Sequence, residues 1–246
     1  MANTPLDGAG YLIRGLSLIT KPGLRPFVLI PLTVNIVVFS LLVWLGLDQF
    51  EGLMDRFLPS DESWLSWLRW LLWPLFAIAL VLIIFYTFTV IANLIAAPFN
   101  GLLAEKVERY LGGDLPQQPS GVKQVMKDVA PSLLSEVRKM SYFLLRAIPL
   151  LILFIIPGIN LIAPFLWIAF SAWFLALEYA DFPMANHKLT FKAQHQRLKQ
   201  SRLTALAFGG SLTLMMMVPL LNFLAMPAAV AGATVFWRER LQGMAD

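Results

Sequence analysis

The sequence predicts an all-α integral membrane protein, and two observations support this fold class. Four long apolar segments contain no Asp, Glu, Lys, Arg or His, although the 246 residues include 19 Lys and Arg and 15 Asp and Glu. The composition agrees, because 58% of the residues are hydrophobic, 14% are charged and the mean hydropathy is +0.69. These values lie far from the usual balance of a soluble domain. The four segments are residues 27–47, 70–98, 147–177 and 203–237.

The first two segments are predicted to be long transmembrane helices. A hydrocarbon core of about 30 Å needs about 20 helical residues, and residues 27–47 and 70–98 reach or exceed that length without a charge. Four tryptophans between positions 64 and 73 suit the headgroup region at the start of the second span.

The last two segments are predicted to be broken helical hairpins. Pro157–Asn160 interrupts residues 147–177, and Pro219–Asn222 interrupts residues 203–237. The arm 147–156 is too short to cross, which favours re-entrant hairpins that enter the membrane and return on the same side. Their irregular backbone must then be covered by protein or line a wet cavity. Two full crossings per segment remain the alternative.

The basic residues predict the orientation. All but two of the 19 Lys and Arg residues lie before the first span, in residues 101–146 and 178–202, or after residue 237, whereas residues 48–69 are acidic. By the positive-inside rule these basic stretches and both termini are cytoplasmic. Within residues 101–146, apolar positions recur every three or four residues from Val122, which predicts an amphipathic cytoplasmic helix whose charges contact anionic membrane lipids. We expect a single membrane domain.

A short motif repeats where the apolar segments are interrupted. Asn93–Phe99 recurs as Asn160–Phe165 and more loosely as Asn222–Pro227. Breaks at corresponding positions point to a transport site, because helix ends inside a membrane offer unpaired N–H or C=O groups. The alternative is that each Asn caps the second arm and Pro occupies its first turn.

Polar residues in and beside the first two spans are candidates for a pathway or for coupling. For those inside the spans, interhelical hydrogen bonds are the alternative role. For Glu105 and Arg109, the alternative is a solvated i, i+4 ion pair. The candidates are Asn35, Thr87, Thr89, Asn93, Asn100, Glu105 and Arg109.

The stretch Lys21–Pro26, directly before the first span, predicts an oxyanion site. A proline suited to a first helical turn, free N–H groups on Gly23, Leu24 and Arg25, and a helix dipole favour sulfate or phosphate. The side chains of Lys21 and Arg25 add positive charge. The alternative is that these two cations only anchor the topology.

Catalytic and cofactor signatures do not accompany this site. The chain has no cysteine, catalytic triad, P-loop or nucleotide fingerprint, and His187 and His195 lack a carboxylate at metal-ligand spacing. No nucleic-acid-binding motif occurs either. We therefore expect a protein that is not an enzyme and that needs no cofactor, metal or nucleic acid.

Four separated motifs resemble the bacterial CysZ sulfate transporters, and the resemblance covers nearly the whole chain. The motifs are Gly23–Leu32, Ala97–Glu108, Pro157–Asn160 and Glu178–His187. The resemblance implies an inner-membrane protein that brings sulfate into the cytoplasm for cysteine synthesis. It also implies two full spans, two re-entrant hairpins and a homo-oligomer built on dimers, up to a hexamer.

The resemblance assigns sulfate binding to Gly23, Leu24 and Arg25. The family often has a second Arg where this chain has Pro26, so a pocket here would have less charge and would rely on Lys21 or on backbone donors.

The residues leave the transport mechanism open. Two complete spans cannot enclose a polar route, which implies an oligomer. Channel-like flux and proton-dependent transport are both possible, with Glu105, Glu178, Asp181 and His187 as titratable candidates at the membrane edge. A scaffold or regulator that holds a soluble partner through its cytoplasmic helices is the other hypothesis, although a scaffold does not need broken apolar segments.

Overall fold

The computed structural model describes residues 4–57, 66–113 and 122–244. Within these ranges the chain is helical and contains no strand, which confirms the all-α class. The described α-helices are α1 (Pro5–Ile19), α2 (Pro26–Phe57), α3 (Ser66–Tyr110), α4 (Val122–Leu153), α5 (Ala163–Asn186), α6 (Phe191–Gln200), α7 (Arg202–Met216) and α8 (Pro219–Phe236), and a π-helical turn, Trp237–Leu241, follows α8.

Three helical stretches among the described residues are long and apolar enough to cross a membrane. They are Pro26–Gln49, Ala163–Asn186 and Pro219–Leu241, and a shorter apolar stretch, Leu72–Phe88, lies in α3. The fold is therefore that of an all-α membrane protein, as predicted.

The chain divides into two compact units, Leu29–Phe99 and the remainder. In the unit Leu29–Phe99, α2 and α3 pair through Phe39 and Phe88, whose rings meet edge to face at 5.0 Å, and a Cβ on Gly46 would lie 2.5 Å from Ile84. Only 6% of the Pro26–Gln49 window is buried, so its apolar side chains are left for lipid or another chain to cover.

In the other unit, α1 packs closely against α7 and α8. A Cβ added to Gly8 would lie 2.3 Å from the Thr204 carbonyl oxygen, and one added to Gly15 would lie 2.1 Å from that of Ala228. These are backbone-to-backbone contacts that only glycine allows. From the sequence this segment was expected only to be a basic stretch before the first span, and a helix with one buried face was not predicted.

The first predicted hairpin is broken near the expected position. Residues 154–162 separate α4 from α5 without α-helical structure, and Gly158 has φ +83°, a backbone conformation that suits glycine. The helix before the break is longer than the predicted arm 147–156, since α4 runs without interruption from Val122 to Leu153.

The second hairpin breaks earlier than predicted. Met217 and Val218 separate α7 from α8, and Pro219 is the first residue of α8. The capping role considered for the asparagines is wrong, because Ile162 and Val218 occupy the N-cap positions of α5 and α8. Pro164 does lie in the first turn of α5, whereas Pro227, the proline of the third copy of the motif, lies inside α8. Whether the hairpins are re-entrant stays a prediction.

Candidate functional site

The segment Lys21–Pro26 forms the turn between α1 and α2. The Lys21 carbonyl accepts hydrogen bonds from the N–H groups of Leu24 at 3.1 Å and Arg25 at 3.2 Å. Gly23 has φ +88°, which lets the chain reverse tightly enough for both bonds. Leu24 is only 3% exposed and Val28 only 6%, so both side chains fix the turn against the apolar core.

The prediction that Gly23, Leu24 and Arg25 all have free N–H groups is wrong for Leu24 and Arg25. The N–H groups of Leu24 and Arg25 are occupied by the Lys21 carbonyl, and Pro26 has no N–H. The next two donors, on Phe27 and Val28, already bond to the Leu24 and Arg25 carbonyls.

Gly23 is the exception in this turn. Its N–H has no hydrogen-bond partner among the residues that the structure describes. The backbone therefore offers an anion one donor at this turn, and side chains must supply the rest.

Arg25 is exposed and oriented by the end of α1. Its Nε atom donates to the Thr20 carbonyl at 2.5 Å, which satisfies a carbonyl at the C-terminus of that helix. The two terminal guanidinium nitrogens make no hydrogen bond within the described ranges and are available to an oxyanion.

A third cation, Lys106 on α3, joins Lys21 and Arg25. Its Nζ atom lies 6.0 Å from the centre of the Phe27 ring, directly after the turn. Lys106 is exposed, and none of the three cations makes an ion pair in the described part of the chain. Lys106 was not among the predicted site residues, because a contact between α3 and this turn cannot be seen in the local sequence.

The ion pair predicted between Glu105 and Arg109 is present. Arg109 Nη2 lies 2.6 Å from Glu105 Oε1, and the two side chains are 57% and 30% exposed. A pair this accessible contributes little stability, on the order of 0.3–0.5 kcal/mol. It also neutralises the two charges beside Lys106, which stays without a counter-charge.

The other pathway candidates do not converge on one site. Asn100 is 8% exposed and its Nδ2 atom lies 3.1 Å from Met226 Sδ, so it mediates a contact between α3 and α8. Asn35 has a buried Oδ1 without a partner among the described residues, whereas Thr87 is exposed. The side chains of Thr89 and Asn93 lie outside the described part of the structure.

A buried carboxylate that the sequence analysis did not single out lies near the end of α3. Glu108 is 0% exposed, and its Oε1 atom lies 2.8 Å from Nε2 of His187, which follows α5. Its neighbours Leu103, Ala104 and Val107 are also buried. Their spacing in the sequence was the feature that could have indicated a buried face of the helix at Glu108. The pair holds the C-terminal end of α3 against the C-terminal end of α5.

A second buried polar cluster joins α4, α5 and α6. Lys139 Nζ lies 2.8 Å from Asp181 Oδ2 and 3.3 Å from Glu178 Oε2, and the buried Gln194 donates to Asp181 Oδ1 at 2.6 Å. Lipid contact was predicted for the charges of α4, and for Lys139 that prediction is wrong because its side chain is only 6% exposed. An amphipathic pattern cannot reveal a carboxylate on another helix.

Comparisons with known proteins agree with the motifs. A family model described as "Sulfate transporter CysZ/Etoposide-induced protein 2.4" matches residues 11–227. A protein of Pseudomonas aeruginosa LESB58 named "Sulfate transporter CysZ" is 46% identical over 232 residues, which cover 94% of each chain.

Two further relatives carry the same name. One from Pseudomonas fluorescens Pf-5 is 50% identical over 236 residues, covering 96% of this chain and 95% of its own. One from Pectobacterium atrosepticum is 43% identical over 240 residues, covering 97% and 86%. With the helical hairpins and the cationic turn in place, these matches show that the chain belongs to the family of the sulfate transporter CysZ and etoposide-induced protein 2.4.

Proposed function

We propose that this protein moves sulfate across the bacterial inner membrane into the cytoplasm, where the sulfur is used for cysteine biosynthesis. The observation that carries the proposal is a group of three cations at the turn between α1 and α2 that make no ion pair among the described residues, namely Lys21, Arg25 and Lys106. The relatives named as sulfate transporters support the choice of anion, and their names are those of transporters rather than enzymes.

The turn suits a tetrahedral dianion through its charge and its donors. The terminal nitrogens of Arg25 can bind two sulfate oxygens side by side, which an ammonium cannot do. Lys21 supplies a point charge from the turn itself and Lys106 supplies one from α3, and the Gly23 N–H adds a backbone donor. Lys106 thereby takes the place of the second arginine expected at position 26.

Entry of sulfate into a cell with a negative interior requires a driving force. Two charges moved against 100 mV cost about 4.6 kcal/mol, which corresponds to roughly a 2,000-fold lower equilibrium concentration inside. Either protons accompany the anion, or cytoplasmic reduction keeps internal sulfate low.

The complete transporter is proposed to be a homo-oligomer with both termini in the cytoplasm. A two-helix unit cannot enclose a polar route, and the α2 window leaves most of its surface exposed. Residues 4–14 lie beside the C-terminal turn, because Arg14 forms two hydrogen bonds to Glu239 at 2.7 and 2.6 Å. This contact supports placing both ends of the chain on one side.

Sulfate uptake by protein reconstituted into vesicles tests the proposal. Radiolabelled sulfate should enter vesicles with the protein faster than empty vesicles. Arg25→Ala should weaken sulfate binding by about 10- to 150-fold, since a charge-assisted hydrogen bond contributes about 1.5–3 kcal/mol. Arg25→Lys should recover only part of this loss, and Lys106→Ala should weaken binding less than Arg25→Ala.

Lys192→Ala is the matched control, because Lys192 is an exposed cation on α6 with no part in the turn. Uptake equal to that of empty vesicles would contradict the transport function and favour the scaffold hypothesis. Uptake by the protein with unchanged sulfate affinity in Arg25→Ala would keep the function and reject this site.

A further inference from the structure

Helices α4, α5 and α6 also meet around an aromatic cluster formed by Tyr142, Trp173, Phe191 and His195. Trp173 Nε1 donates to the Tyr142 hydroxyl at 2.8 Å. The His195 ring meets Tyr142 edge to face at 4.9 Å and stacks on Phe191 at 6.0 Å. The cluster fixes these three helices relative to one another.

Cations from three helices lie near His195 of this cluster. Arg146 on α4 places its guanidinium 3.7 Å from the centre of the Tyr142 ring, Lys199 lies one helical turn after His195 on α6, and Arg202 is the first residue of α7. Burial and the nearby cations Lys199, Arg146 and Arg202 lower the pKa of His195 to about 4.

Among the residues that the structure describes, no carboxylate pairs with these cations. Arg146, Lys199 and Arg202 make no ion pair in the described part of the chain, and no carboxylate is among the groups that shift His195. Each of the three is exposed. Like charges held on three packed helices repel one another, so this surface favours an anion as a ligand.

Exposed apolar side chains border the three cations. Arg146 is flanked by Leu145, which is 73% exposed, and is followed closely by Ile148, which is 54% exposed. Arg202 directly precedes Leu203, which is 52% exposed. Both basic residues therefore stand at the positions where the apolar arms of the two hairpins begin.

We propose that Arg146, Lys199 and Arg202 bind the phosphate group of an anionic phospholipid. A tetrahedral oxyanion satisfies the three cations, and the exposed leucine and isoleucine side chains accept the acyl chains of the same molecule. Free sulfate shares the headgroup chemistry but would leave the apolar border unused. The site lies on α4, α6 and α7 and involves none of the residues proposed to bind transported sulfate.

Native mass spectrometry of the detergent-solubilised protein tests the site directly. Phosphatidylglycerol should bind at least tenfold more tightly than phosphatidylcholine. The triple variant Arg146→Gln, Lys199→Gln, Arg202→Gln should lose that preference, and Lys192→Gln on the same helix should keep it. Equal binding of the two lipids by the native protein, or an unchanged preference in the triple variant, would overturn the proposal.

The two histidines of the chain allow a second readout that does not depend on variants. In protein labelled with ¹³C-histidine, added phosphatidylglycerol should raise the pKa of His195, because a phosphate offsets the three cations. The signal is assigned with His195→Gln. If phosphatidylglycerol leaves the titration unchanged while millimolar sulfate shifts it, the cluster is a free-anion site and the lipid assignment is wrong.

Discussion

Replacing Gly15 by alanine should destabilise the protein by forcing α1 away from α8. The new Cβ would lie 2.1 Å from the Ala228 carbonyl oxygen and 2.6 Å from the Gly232 nitrogen. Both neighbours are backbone atoms in a packed helix and cannot rotate away, so the two helices must separate by about 1 Å to reach an ordinary contact distance. Overpacking of this kind costs about 1–3 kcal/mol.

Gly10→Ala is the matched control for this substitution. Gly10 lies on the same helix, and a Cβ there would meet nothing within 4 Å. Alanine should then favour the helix by roughly 0.5–1 kcal/mol, because glycine has the greater conformational entropy when unfolded. The same chemical change is thus expected to have opposite signs at two positions of one helix.

Thermal unfolding of the two purified variants in detergent checks the prediction, with sulfate binding as a second measurement. Gly15→Ala should melt several degrees below the native protein and should bind sulfate more weakly, because α1 leads directly into the turn at Lys21. Gly10→Ala should melt at or above the native temperature and bind normally. Equal melting temperatures for both variants would refute the close backbone contact between α1 and α8.

Three further predictions follow from the same structure. Lys139→Ala should lower the unfolding free energy by about 3 kcal/mol in chemical denaturation, because it leaves the largely buried Asp181 without its cation. If Lys139→Ala has no larger effect than Lys192→Ala, the buried ion pair between Lys139 and Asp181 is wrong. The pKa of His195 is lowered from 6.5 to about 4, so unfolding between pH 4 and pH 6.5 takes up a proton. The contribution of His195 to stability is therefore complete above about pH 6.5 and is lost as the pH falls towards 4. In His195→Gln, the melting temperature should vary less with pH across that range. Reporters fused at position 60 should be periplasmic and those at 118, 190 and 246 cytoplasmic, and a periplasmic signal at 190 would reject the orientation.

The features that the sequence revealed are those that depend on local pattern. Runs of apolar residues without charge set the long helices, and proline with glycine set the break around Gly158. The Glu105–Arg109 pair followed from i, i+4 spacing on one helix. Each of these needs only the neighbouring residues along the chain, so a single sequence contains the necessary information.

The features that the sequence did not reveal depend on contacts between distant segments. Helix α1 packs against α7 and α8 because Gly8 and Gly15 contact backbone atoms about 200 residues later in the chain. The local pattern of residues in α1 does not predict contacts with such distant segments. Lys139 looked like a lipid-facing charge until Asp181 and Gln194 were placed beside it. The donors of the Lys21–Arg25 turn were overcounted, because the sequence does not show that one carbonyl accepts two of them.

Pairing, rather than the number of basic residues, distinguishes structural charges from binding charges in this chain. The positive-inside rule counts all 19 Lys and Arg alike. Arg14 and Lys139 are each bound to a carboxylate, and their positive charge is compensated within the protein.

Within residues 4–57, 66–113 and 122–244, two groups of exposed cations have no carboxylate partner, one at the turn around Arg25 and one around His195. The first adjoins the glycine with an unused N–H, which suits a small hydrated anion that must bind and leave. The second adjoins exposed apolar side chains at the starts of two hairpins, which suits an anion that carries its own hydrocarbon. Both groups are positively charged, so it is the residues around them that favour transported sulfate at the first group and a bound phospholipid at the second.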